Sequence, residues 1–170
     1  MVRHIVIADA GPLIALARID ALPLLKGVFG RVCITRTVHD EILPPSSFFD
    51  EASALTQALT DGWIRVVETD WAGWQPLNPG VDAGEASSIH VACLWQKAGD
   101  AVLLVIDDRA GRAEARTRGL ALIGTAAVIG LAKTRGLVPA AQPLLEQLQR
   151  SGYYLGRSVI DAVLTEIGER

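Results

Sequence analysis

Aromatic side chains are scarce in this chain: Phe, Trp and Tyr together make up 5% of it, so a core of stacked rings is excluded. With hydrophobic residues at 50%, the interior must be built from Leu, Ile, Val and Ala. Cysteine is scarcer still. Cys33 and Cys93 stand far apart and form no C-x-x-C pattern, which sets aside both a zinc site and a disulfide framework. Both lie in apolar stretches and read as small hydrophobes. Basic charge is not in excess either: 16 Lys and Arg face 19 Asp and Glu, for a net charge of −3, so the chain lacks the overall field with which many proteins hold nucleic acid. Contact with nucleic acid then requires a local basic patch, a bridging metal, or both. Long apolar runs are missing as well. None reaches the ~20 residues of a membrane span. The run from Ile5 to Ala8 is stopped by Asp9, unlike a signal peptide. The expectation is a cytoplasmic protein with no membrane partner, folded as a single domain over residues 1–170.

What is present is an alternation of apolar runs and helical patterns. His4 to Ala8 is apolar and β-rich without period-2 alternation, the form of a strand buried on both faces of a parallel sheet. Asp9-Ala10-Gly11-Pro12 reads as a break, followed by helices over Leu13 to Ile19 and Leu22 to Val28. Arg31 to Thr35 is a second strand. Thr37 to Leu43 is a short helix with Thr37 as N-cap and Pro44-Pro45 at its end. Phe49 to Thr60 is helical, and Trp63 to Val67 is a third strand. A loop from Trp71 to Pro79 leads to a long helix over Ala83 to Ala98. Ala101 to Ile106 and Leu120 to Ile123 are further strands, with helices over Arg109 to Arg118, Thr125 to Arg135, Pro139 to Gln149 and Arg157 to Ile167. The nearest thing to a linker, Pro44-Pro45-Ser46-Ser47, lies too early to divide two domains. This order predicts a mainly parallel sheet of about five strands with helices on both faces.

In such a sheet, ligands bind beyond the carboxyl ends of the strands. Asp9 directly follows the first strand, and Asp107 and Asp108 directly follow the fourth. Glu41 falls in Thr37-Val38-His39-Asp40-Glu41-Ile42. Glu85 opens the long helix in Asp82-Ala83-Gly84-Glu85-Ala86, where free N–H groups favour a carboxylate. Gathered carboxylates repel, and the usual remedies are raised pKa values or a bound cation. A hard divalent cation such as Mg²⁺ takes oxygen ligands, activates water and offsets charge on a phosphodiester. Each acid also has an ordinary reading as a turn former or cap, Asp82 as the cap of the Glu85 helix above all.

These segments together resemble the PIN-domain superfamily, in particular its prokaryotic, toxin-like branch. The resemblance rests on Ile5-Val6-Ile7-Ala8-Asp9-Ala10-Gly11-Pro12-Leu13-Ile14, Val38-His39-Asp40-Glu41-Ile42, Asp82-Ala83-Gly84-Glu85-Ala86-Ser87-Ser88-Ile89 and Leu103-Leu104-Val105-Ile106-Asp107-Asp108-Arg109. The stretch Gly124 to Lys133 adds to it, and the likeness runs from Val2 to about Leu164. It implies a three-layer α/β/α fold, dependence on Mg²⁺ or Mn²⁺, and cleavage of RNA. It implies that Asp9, Glu41, Glu85 and Asp107 or Asp108 are the acids in order, with Asp9, Glu85, Asp107 and Asp108 as metal ligands. It also implies a cognate antitoxin and a homodimer as partners. Two features depart from the commonest pattern: the third acid is Glu rather than Asp, and the last site is a pair of aspartates.

Arg109, Arg112 and Arg116 share roughly one helical face beside that pair, to hold flanking phosphates or simply to be solvated, with Glu114 as a partner. Thr125 follows the fifth strand, as a cap or a substrate contact. Trp71 and Trp74 either pack their loop onto the domain or stack on bases. His4, His39 and His90 have no companions at ligand spacing. The apolar stripes of the last two helices cover the core, with a remaining face for a partner. A haloacid-dehalogenase-like phosphatase also starts from Asp after a first strand, but Gly11 stands where its second Asp is needed. A catalytically inactive PIN-like module that binds nucleic acid or protein is the remaining alternative.

Overall fold

Strands form where apolar and β-branched residues run together without a breaker, and the central runs meet two cores rather than one. The computed structural model of the protein describes residues 1–44 and 50–170. Among these, five strands make one sheet: β1 (His4–Ala8), β2 (Val32–Thr35), β3 (Ile64–Val67), β4 (Ala101–Val105) and β5 (Ala121–Ile123). The order is β3-β2-β1-β4-β5 and every pairing is parallel. The helices among the described residues are α1 (Ala10–Arg18), α2 (Pro23–Phe29), α3 (Arg36–Ile42), α4 (Asp50–Asp61), α5 (Ala83–Lys97), α6 (Arg109–Thr117), α7 (Thr125–Thr134), α8 (Gln142–Arg150) and α9 (Arg157–Glu166). This is a three-layer α/β/α PIN-like fold. None of these helices is long and apolar enough to cross a membrane.

The central strand shows why its sequence reads as a continuous apolar run. Val6 and Ala8 turn to a core shared with α1, α2, α7, α8 and α9, while Ile5 and Ile7 turn to one shared with α5 and α6. With both faces buried, no position is left for a polar alternation. Tyr153 and the Leu145, Leu148, Ile160, Val163 and Leu164 stripes pack into the first core, so the C-terminal helices do cover it. Cys93, Trp71, Trp74 and Trp95 pack against the second.

Three local expectations change. Ala10-Gly11-Pro12 is not a break but the first turn of α1, with Asp9 at the N-cap. A first-turn Pro removes only an N–H that has no partner inside the helix. The N-cap of α3 is Thr35 rather than Thr37, because Thr35 is still extended and its Oγ1 accepts from the Val38 N–H at 3.1 Å. Helix α8 starts at Gln142, three residues after the expected Pro139. Residues 45–47 of the expected linker, and Phe49, the expected start of α4, lie outside the described residues.

The tail is held by close approach. A Cβ at Gly130 of α7 would stand 2.9 Å from Val163 Cγ1 and 3.5 Å from Ile167 Cγ2 of the α9 segment. A branched side chain there forces the two helices apart. Gly130→Val is expected to lower stability by about 1–3 kcal/mol through overpacking, read from urea unfolding midpoints; an unchanged midpoint would contradict this packing.

Candidate functional site

Successive strands run outward from β1 to β3 and then return to the other side of β1, so the strand order, though not the strand direction, reverses between β1 and β4. A crevice opens beyond the strand ends at such a point. Ala8 lies beside Val105 in the register, and the Asp9 N–H donates to the Val105 carbonyl at 3.0 Å. The acids that follow the two strands therefore emerge side by side. A cleft of about 550 Å³ lies there, lined by Asp9, Glu41, Asp82, Glu85, Asp107, Asp108 and Arg109, with Tyr153 and Tyr154 from the α8–α9 connection. All five acids expected from sequence meet in it.

Most of these carboxylates sit where helices begin. Asp9, Asp82 and Asp108 are the N-caps of α1, α5 and α6, and Asp107 accepts from the first N–H of α7. In a parallel α/β sheet the helices following the strands start at this one edge, and their free N–H groups and positive dipole ends suit negative charge. Asp82 and Glu85 form a capping box, with Asp82 Oδ1 accepting from the Glu85 N–H at 2.8 Å and Glu85 Oε2 from the Asp82 N–H at 3.1 Å. Glu41 is the exception. It lies in the last turn of α3, where the dipole disfavours an acid. What brings it in is a buried relay: Thr35 Oγ1 bonds Ser87 Oγ at 2.8 Å, and Ser87 Oγ donates to the Gly84 carbonyl at 2.8 Å, tying α3 to α5.

Asp9 forms the floor. It is 6% exposed, and its Oδ1 is buried with no hydrogen-bond partner among the described residues. Burial, with the Ala10 N–H opposing and the charges of Glu85, Asp82 and Glu41 adding, pushes its carboxyl up to about 8. Burial, with Asp82 and Asp108 beside it, raises Glu85 to about 7. Burial and Asp82 also raise Glu41. A Cβ on Gly84 would stand 2.5 Å from Glu41 Oε2, 3.5 Å from Asp82 Oδ1 and 3.6 Å from Asp9 Oδ1. Three carboxylates thus face one small space that any other residue at position 84 would fill. Gly111 plays the same part under Glu85, whose carboxyl carbon lies 3.2 Å from where its Cβ would be.

The aspartate pair divides its work. Asp107 is clamped: Oδ1 accepts from the Thr125 N–H at 2.8 Å, and Oδ2 accepts from the Thr125 hydroxyl and from the Tyr153 hydroxyl. Asp108 Oδ2 caps α6 through Ala110 and Gly111 at 2.9 and 3.2 Å, and its carboxylate also meets Glu85. The expected roles of Thr125 are corrected here. The cap position of α7 is Gly124, and Thr125 is fully buried with its hydroxyl committed to Asp107, so it neither caps the helix with its side chain nor reaches a substrate. The arginine stripe also splits. Arg109 is exposed at the cleft, whereas Arg112 donates to the Ile106 carbonyl at 2.9 Å beside Asp107. Arg118, beyond the stripe, pairs with the buried Glu114 at 2.9 Å. The Trp loop packs on the domain, with Trp74 between His90 (ring centroids 5.2 Å apart) and the Arg118 guanidinium 4.8 Å over its ring. Tyr153 is the residue that sequence reasoning missed. The only available signal was that the chain's two tyrosines are adjacent, in Gly152-Tyr153-Tyr154.

The donor set suits a hard divalent cation. Every candidate ligand is a carboxylate, a buried Asp9 oxygen lacks any partner, and the hollow over Gly84 keeps space open beside it. As folded, no three His, Cys, Asp or Glu side chains among the described residues already stand close enough to share one ion. Loading therefore requires side-chain movement, and exposed Glu41 is the acid least confined. These features define a parallel α/β protein with an acidic cleft at its topological switch point. A family model described as a PIN domain matches residues 5–169, and the chain belongs to that family. Its fold is accordingly nuclease-like, in a family whose members are generally nucleases and typically use divalent metals. A search of curated proteins found no match.

The raised carboxyls carry a sign. An unfolded Asp releases its proton near 3.8 and an unfolded Glu near 4.5, while folded Asp9 and Glu85 hold theirs to about 8 and 7. Between those limits the folded chain binds more protons, so without metal its stability falls as pH rises from about 4 to about 8, then levels. Melting temperatures in EDTA should decline from pH 5 to 8.5, and Asp9→Asn should remove most of the slope; a flat or rising wild-type profile would contradict the burial of Asp9.

Proposed function

We propose that the protein is a Mg²⁺- or Mn²⁺-dependent endoribonuclease that hydrolyses RNA phosphodiester bonds. The observation that carries this reading is the buried, unpartnered Asp9 Oδ1 on the floor of a cleft whose other acids face the same hollow. Asp9, Glu85 and Asp107 or Asp108 would hold the cation, with Glu41 completing the pocket. When bound, the cation lowers the pKa of water for attack and offsets charge developing on the phosphodiester. The chain's own groups do the rest. Thr125 and Tyr153 hold Asp107 in one orientation by donating to it. The capping box fixes Glu85 in one orientation. Arg109, the cation lining the cleft, holds a phosphate next to the cut. An acidic protein of net charge −3 approaches an anionic strand through these local contacts rather than through its overall field.

The same reading extends to partners: an RNA substrate, a cognate antitoxin protein, a second copy of the chain, and work in the cytoplasm. A non-catalytic binding module is the competing reading, favoured by the fact that no three acids among the described residues are already drawn together around one point.

Cleavage of a mixed RNA pool decides between them. Wild type with Mn²⁺ should cleave and stop on addition of EDTA, and Asp9→Asn should lose on the order of 100-fold or more. Equal activity in the two proteins, or none in either, would overturn the ribonuclease. Gly84→Ala is expected to weaken Mn²⁺ binding by about 10-fold in calorimetry, because its methyl group displaces the Glu41 carboxylate.

A further inference from the structure

Capping α5 uses less of Asp82 than the side chain offers. One oxygen, Oδ1, accepts from the Glu85 N–H at 2.8 Å, and that bond is the whole cap. The other, Oδ2, receives no donor among the described residues. Asn or Ser caps a helix as well without a charge. The charge at position 82 is costly. Burial comes first in raising the carboxyls of Asp9, Glu41 and Glu85, and the charge of Asp82 raises all three further. The positive end of α5 favours an acid, but Glu85 already supplies one in the same first turn.

Two separate observations point to what the extra carboxylate is for. The first is the hollow over Gly84. The point where a Cβ would stand lies 2.5 Å from Glu41 Oε2, 3.5 Å from Asp82 Oδ1 and 3.6 Å from Asp9 Oδ1. Oxygens from α3, from the cap of α5 and from the cap of α1 thus surround one spot. The second is Asp9 itself. It is 6% exposed, and the oxygen that faces this spot is buried with no partner among the described residues. A buried carboxylate oxygen without a donor calls for a positive partner. Asp107 is less available, since Thr125 and Tyr153 between them donate to both of its oxygens.

We infer that Asp82 is a metal ligand as well as a cap, and that the divalent cation sits over Gly84 between Asp9, Glu41 and Asp82. This rests on the metal-dependent reading and adds a ligand to it. The two roles are compatible, because the cap occupies one lone pair of Oδ1 and leaves the rest of the carboxylate open to the ion. Asp82 is also held at its backbone, where Glu85 Oε2 accepts from its N–H at 3.1 Å. A ligand oriented in advance loses little freedom on binding. Exposed Glu41 supplies the movement that draws the oxygens together.

Asp82→Asn separates the roles, because Asn keeps a capping oxygen and removes the charge. Mn²⁺ binding to the full chain is read by calorimetry. Water on the bound ion is counted with Eu³⁺, a hard, oxygen-seeking probe, from its luminescence decay in H₂O and D₂O. Asp82→Asn is expected to weaken Mn²⁺ binding by about 10-fold and to leave bound Eu³⁺ with about one more water. Asp82→Ser, a second neutral cap, should do the same. Melting temperatures of both in EDTA should equal or exceed that of wild type, since repulsion is relieved and the cap remains. If Asp82→Asn binds Mn²⁺ like wild type, Asp82 is a cap alone and the inference is overturned, with the ribonuclease untouched. If affinity falls while the water count stays the same, the charge acts from a distance and the ligand role is overturned. Lower melting temperatures in both variants would make the carboxylate a structural group and overturn it too. If wild type takes up no Mn²⁺, the metal-dependent reading fails and the ligand role falls with it. If wild type binds Mn²⁺ but cuts no RNA, the ribonuclease fails while the ligand assignment stands.

Discussion

The structure depends on how repulsion among carboxylates is managed at one edge of a parallel sheet. Six acidic side chains line a single cleft. In water such a group would spread apart. Here the backbone prevents it, because Asp9 follows β1 and Asp107 follows the adjoining β4. Relief comes from the helix starts. Each strand at the switch point feeds a helix that begins at the same edge, and the free N–H groups of α1, α5, α6 and α7 point toward the acids placed there. The topology that concentrates negative charge therefore also supplies the partial positive charge that tolerates it.

That compensation is uneven, and the unevenness gives the acids different characters. Asp107 is satisfied on both oxygens by α7 and by Tyr153. Asp82 and Glu85 satisfy each other's backbone. Asp9 is the poorest served, with one buried oxygen unpaired and burial holding its proton. Glu41 stands at the wrong end of its helix, which the Thr35–Ser87 hydroxyl contact and the buried Val38 and Ile42 hold in place. The two least compensated acids, Asp9 and Glu41, both border the hollow over Gly84, which is where a positive ion would relieve the most strain.

Much of this was legible from the sequence because the signals were local. Unbroken apolar runs at His4 to Ala8 and Ala101 to Ile106 identified the inner strands, and acids directly behind them identified the cleft. Glu85 was legible as the first-turn acid of a long helix. Tyr153 was not, since 46 residues separate it from Asp107 and no pattern around it points to that partner. Thr125 was placed correctly after β5 but given the wrong tasks. A hydroxyl at a helix start commonly caps, and only the spatial approach of β4 shows that it serves an aspartate instead. The cap of α3 was misassigned by two residues because Thr35 and Thr37 offer the same chemistry and only the backbone angle tells them apart. Reading Asp9-Ala10-Gly11-Pro12 as a break underestimated how well a first turn accepts proline.

The clamp on Asp107 also orders the making of the protein. A chain leaves the ribosome from its N-terminus, so Asp9, Glu41 and Glu85 emerge well before Tyr153 does. Thr125 arrives in between and supplies two of the donors. The third comes only from the connection ahead of α9, later in the chain than every acid of the cleft. A nascent chain, or one truncated before that connection, carries every acid of the cleft while leaving the aspartate behind β4 incompletely held. The centre takes its full form only once that connection has been made and has folded back onto the strand ends.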